Sequence, residues 1–163
     1  MNTIRNLEQK IGTCTGTVNS DVYNAGLVEL TTKTFPPEHG EARVLFARHR
    51  APGPDYTTKE INLSFSRRLP NGKYPLDPDS AAVRLSFVDA SVPSKPIIYT
   101  QISGEAELAF NLITETFSGT LTNAILEHED ENESKTTITL NIQFSAKSNN
   151  ALARKSQRPT QAA

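Results

Sequence analysis

Side chains able to do chemistry are scarce in this chain. Three histidines (His39, His49 and His128) and a single cysteine, Cys14, are spread over 163 residues. A nucleophile needs an activating base within hydrogen-bond reach, so these few residues bound the hydrolytic combinations. No G-x-S-x-G elbow occurs, because "FSGTL" lacks its first glycine. Cys14 lies beside an expected strand and reads as a small buried hydrophobe. No catalytic residue is assigned, and a non-catalytic protein is the first reading.

Phosphate and metal motifs fail on register. "LPNGKYPLD" contains Gly-Lys, but Arg67 stands where a P-loop needs its first glycine and Tyr74 where it needs a hydroxyl for magnesium. Asp77 and Asp79 open like a calcium loop, yet Ala81 and Ala82 occupy a ligand position and the turning glycine. "LEHEDENES" packs Glu127, Glu129, Asp130, Glu131 and Glu133 around His128. Flanked by strand patterns, it reads as a solvated hairpin tip whose charges discourage edge pairing, with adventitious divalent-cation binding by Glu127, His128 and Asp130 as the alternative. No metal site and no cofactor are assigned.

The remaining constellation is basic. Arg48, His49 and Arg50 end one expected strand, and Arg67 and Arg68 end the next. In a hairpin the two groups could share an end or a face and grip a phosphate, sulfate or carboxylate through guanidinium forks. Tyr56 and Tyr74 would add aromatic surface. Arg48, His49, Arg50, Arg67, Arg68 and Tyr74 are therefore the candidate ligand-binding set. The competing reading is that arginines at strand ends keep a rim soluble.

What must position these residues is a set of strands. "SKTTITLNIQFSA" puts Ile138, Leu140, Ile142 and Phe144 on one face and polar residues on the other, a period of two that fits a half-buried strand. The same period runs through "GEAELAFNL", "EINLSFS" and "AVRLSFV". Weaker candidates are "TGTVN", "GLVELTTK", "RVLFARH", "KPIIYTQI" and "TFSGTLTNAIL". Between them, "TFPPEHGE", "RAPGPDY", "LPNGKYPLDPDS" and "DASVPSKP" hold most of the prolines, which cannot donate to a ladder. Strands joined without helices pair antiparallel. The expected fold is all-β: a single-domain antiparallel barrel or sandwich, meandering and calycin-like, of about eight or nine strands.

Glycines refine this expectation. Gly16, Gly104 and Gly119 each follow a Ser or Thr near a strand start, where glycine marks a bulge, a bend or a close backbone approach. Asn123 interrupts the apolar face begun by Phe117 and Leu121, which suggests a bulge. At the N-terminus, Ile4, Leu7 and Ile11 share a face and predict a short helix, with an extra strand as the competitor. Residues 1–146 form the expected β domain, and the polar, basic stretch 147–163 is expected to be disordered.

Composition narrows the partners. Net charge is −1, which disfavours nucleic acid. One cysteine permits no internal disulfide, and no run approaches the roughly 20 apolar residues of a membrane span. Without a signal-like leader, the expected location is the cytoplasm, with non-classical export as the alternative. In order, "INLSFSRRLPNGKYPLD", "VRLSFVD", the spacing from Ile98 to Leu108 and "TFSGTLTN" resemble small bacterial calycin-like β proteins of unassigned function. That resemblance spans Ile61 to Ala146, implies a meandering barrel or sandwich, and transfers no catalytic residue. Two function classes follow: a non-catalytic domain binding a small molecule, glycan or protein, or an enzyme acting on a small molecule in a barrel cavity. A structural subunit, an oligomer pairing through a strand edge, is the third.

Overall fold

The computed structural model describes residues 12–35, 40–50 and 57–147. The expected N-terminal helix and the basic tail beyond Lys147 lie outside them, as do His39 and Tyr56, whereas Lys147 itself ends a strand. Ten strands form: β1 (Gly12–Val18), β2 (Asp21–Asn24), β3 (Leu27–Thr34), β4 (Glu41–Arg50), β5 (Thr58–Ser66), β6 (Gly72–Pro75), β7 (Val83–Ala90), β8 (Ile97–Asn111), β9 (Thr116–Glu129) and β10 (Lys135–Lys147). They make one antiparallel sheet in the order β2-β1-β10-β9-β8-β7-β5-β4-β3, with β6 paired to β8. The architecture is all-β and barrel-like. No described helix exists to cross a membrane.

The sheet curls until its two ends meet at Ala25 and Gly26, the link between β2 and β3. The Ala25 N–H donates to Cys14 O (2.9 Å) on one end neighbour, and the Gly26 N–H donates to Arg48 O (2.9 Å) on the other. Across this seam the Tyr23 hydroxyl reaches Ala47 O (3.2 Å) and Lys59 O (3.0 Å). The Ala25 and Gly26 bonds satisfy backbone groups of the link that would otherwise be left to solvent.

Alternation puts the core inside the curl. Ile138, Leu140, Ile142 and Phe144 are buried as their period requires, opposite Leu126, Ala124, Leu121 and Gly119 of β9. Phe65 stacks on Phe117 (5.5 Å, 10°), which meets Phe144 at 5.2 Å. Toward the seam, Tyr23, Phe87 and Tyr99 continue the aromatic column. These rings and the aliphatic side chains around them form one buried cluster, which is where stability of this kind of fold resides.

Two expectations sharpen on inspection. The segments "KPIIYTQI" and "GEAELAFNL" are one strand, β8, whose register against β9 shifts between Gln101 and Ser103 and again between Ser103 and Glu105. Gly104 at φ 114 and Asn123 at φ 46 accommodate that irregularity, and an added Cβ at Gly104 would meet Asn123 O at 2.5 Å. The strand β6, inside the proline-rich loop, is an addition that its composition hides. Pro75 ends it and Asn71 anchors its start, accepting from Phe110 N–H at 2.9 Å.

β8 serves two partners in succession, β7 through Ile97–Thr100 and β6 through Glu105–Leu108. Where it changes partner, the ladder is completed by a side chain. Gln101, 1% exposed, accepts from Leu85 N–H (2.5 Å) and donates to Val83 O (3.0 Å) and Asp77 O (2.7 Å). A buried amide is tolerated because its polar atoms are spent.

Candidate functional site

The six basic and aromatic candidates are divided between two ends of the fold. β4 and β5 pair along their whole length, with Arg50 opposite Thr58 and Ala42 opposite Ser66. Arg48 to Arg50 therefore lie at one end and Arg67 and Arg68 at the other, about 20 Å away at the rise of a strand. Arg48 donates to Glu60 (3.0 Å) and its guanidinium lies 5.3 Å from the Phe46 ring. Arg67 pairs with Glu41 at 3.0 Å, and Arg50 and Arg68 are exposed. Tyr74 packs on Phe65 at 5.9 Å while its hydroxyl donates to Pro70 O.

His49 belongs to the seam. Its Nδ1 sits 3.0 Å from Asn24 N and 2.8 Å from Asn24 O, and its ring lies 5.3 Å from Tyr23. Asp21, Lys59 and Ser91 complete a small recess here of about 110 Å³. Burial, then the nearby Cys14 and Glu60, push the Tyr23 phenol far above its ordinary range, so it stays neutral and structural. Burial also pushes the Cys14 thiol up to about 12, the opposite of an activated nucleophile.

The acidic stretch is a turn. Asp130 Oδ1 accepts from Asn132 N–H and Ser134 N–H, each at 2.9 Å, and Glu133 takes a positive φ of 66°. Alternation sends Glu127 and His128 to opposite faces, and His128 Nδ1 lies 2.9 Å from Ile98 O. Among the described residues no cluster of three or more metal-ligating side chains forms.

A larger concavity lies on the outer face of the sheet, and none of the six candidates lines it. Its volume is about 330 Å³, within the range of small-molecule sites. The floor follows from register: Val44 lies opposite Ser64 and Ser64 opposite Arg84, while Asn62 lies opposite Ser86 and Ser86 opposite Thr100. Lys33 and Phe35, at and beyond the end of β3, form one wall. Arg84 forms the other, its Nη1 donating to Pro78 O (2.7 Å) and Ser80 O (3.2 Å).

Two features set this groove apart. Lys33 and Arg84 make no ion pair with a described residue, and no carboxylate among the described residues lines the cavity. The side chains of Asn62, Ser64, Ser86 and Thr100 make no hydrogen bond within the described residues, although the first three are half-buried. An amide and three hydroxyls thus face a space bordered by two cations. Gln101 acts beneath them, because its bonds to Val83 and Leu85 fix the backbone on both sides of Arg84.

A sequence signal for the groove existed in the polar half of the alternation. "NLSFS" and "RLSF" expose asparagine, serine and arginine where solvated strands more often carry lysine and glutamate. Small polar side chains leave room above a sheet. Comparison with protein-family models, with curated proteins and with solved structures finds no match to this chain.

Proposed function

We propose that this chain is a non-catalytic binding domain on a calycin-like scaffold, and that its outer groove takes a sugar-sized, polyhydroxylated ligand carrying an acidic group. The observation behind this reading is the pairing of two unneutralised cations with an unspent amide and three unspent hydroxyls in one concavity. Lys33 and Arg84 would bind a carboxylate or sulfate, with the Arg84 fork supplying direction. Asn62, Ser64, Ser86 and Thr100 would exchange hydrogen bonds with hydroxyls, which a purely cationic patch could not do. No described residue of the groove forms a nucleophile beside a base, and His49 and His128 stand elsewhere.

Isothermal titration with a panel of uronic-acid and sulfated oligosaccharides, beside their neutral counterparts, tests the reading. Acidic members should bind and neutral ones should not. Lys33→Met and Ser86→Val should each weaken binding about tenfold, the size expected for one charge-assisted or buried hydrogen bond. Equal binding of neutral and acidic sugars, or affinity indifferent to both substitutions, would sink it.

A further inference from the structure

The inner face of β4 carries one residue that the core does not explain. Arg43 lies in the row Thr32–Arg43–Phe65, directly opposite both neighbours, where the next inward positions are Leu45 and Ala47. Its guanidinium sits 3.6 Å above the Phe110 ring. It makes no hydrogen bond and no ion pair with any described residue, so its five N–H donors are unspent. A half-buried cation in this state is costly unless something supplies acceptors.

No described carboxylate pairs with it. Burial and the neighbouring Arg67 both lower its pKa, though a guanidinium keeps its proton under any ordinary condition. Arg67 donates to the Glu41 carboxylate at 3.0 Å, and its backbone N–H donates to Glu41 O at 2.9 Å. Glu41 is thereby engaged by Arg67 and makes no bond to Arg43. Thr32 stands across from Arg43 with a hydroxyl that makes no hydrogen bond to a described residue.

We propose that Arg43, with Thr32 and the partly neutralised Arg67, forms an oxyanion-binding site at this end of the barrel-like sheet. The ligand class is a phosphate, sulfate or carboxylate group, gripped by the Arg43 fork and the Thr32 hydroxyl. Phe110 holds the guanidinium plane in place, which limits the ordering cost of binding. This site is distinct from the groove: Thr32 and Lys33 are consecutive on β3 and point to opposite faces.

The test is thermal unfolding of the full chain in sodium phosphate, sulfate or acetate, at constant ionic strength balanced with chloride. Wild type should gain Tm with the logarithm of oxyanion concentration, and comparison of the three anions reports which geometry the site prefers. In Arg43→Met that gain should disappear, while its Tm in chloride alone should equal or exceed that of wild type, because methionine keeps the Phe110 contact and removes an uncompensated charge. Thr32→Val should weaken the apparent affinity severalfold. Lys33→Met should leave the gain intact, which separates this site from the groove. A wild-type Tm indifferent to all three anions, an Arg43→Met protein that keeps the gain, or one that is less stable in chloride or fails to fold, would overturn the proposal. The last two results would mark Arg43 as a structural cation.

Discussion

Replacing Gln101 with methionine, nearly the same in volume but without polar atoms, strips three backbone groups of their partner. Leu85 N–H loses its acceptor, and Val83 O and Asp77 O lose a donor. An unsatisfied buried group costs about 1–3 kcal/mol, and the Asp77 carbonyl, nearer to solvent, falls at the low end. Against this, methionine returns about 1–2 kcal/mol of apolar burial. The net loss should be about 3 kcal/mol, corresponding to a Tm lowered by roughly 10 °C in a chain of this length. Urea unfolding followed by circular dichroism measures it, with amide exchange at Leu85 as a local readout. Gln101→Glu should be at least as damaging near neutral pH, because a carboxylate cannot donate to either carbonyl. A Gln101→Met protein within 1 kcal/mol of wild type would refute the claim that this amide completes the ladder.

Two further outcomes follow from the same coordinates. Gly119→Ala should destabilise by about 2–4 kcal/mol, since the new Cβ would lie 2.0 Å from Glu107 O and 3.0 Å from the Phe144 ring; an unchanged urea midpoint would contradict the close approach of β8 and β9. The Cys14 thiol, raised from 9.0 to about 12 by burial, holds its proton in the folded state after the unfolded chain has lost it. Its contribution is complete below pH 9 and falls between pH 9 and 12, by about 1.4 kcal/mol per pH unit. The raised phenols of Tyr23 and Tyr99 act in the same direction above their ordinary 10.0. Urea midpoints of wild type and Cys14→Ala from pH 8 to 11 check the sign: the wild type should show the steeper decline.

Much of the fold was legible because alternation is a local property. Each face of β5, β7 and β10 could be assigned from a few residues, and the buried set Ile61, Leu63, Phe65, Val83, Leu85 and Phe87 is the one their period selects. The acidic stretch was legible as a turn for the same reason, since strand patterns flank it. β6 was not, because four residues between prolines carry no period and owe their pairing to β8. Gln101 occupies an inward position in "YTQIS", a polar residue in an apolar register. Its three partners lie 16, 18 and 24 residues away, beyond any local pattern.

By itself, the sequence determined the fold class, the inward faces and the absence of phosphate-loop and calcium-loop registers, all of which depend on neighbours two to six positions apart. The tertiary structure alone decided which cations meet. Arg48 and Arg67 seemed poised to share an end, but full-length pairing of β4 with β5 holds them apart and gives each its own carboxylate. Lys33 and Arg84, about fifty residues apart and unremarked in the chain, border one groove because β3, β4, β5 and β7 lie side by side. Arg43 meets the Phe110 ring only because β8 brings it there. Alternation fixes the face of a side chain; register and closure fix its company, and those depend on contacts that no short stretch of the chain contains.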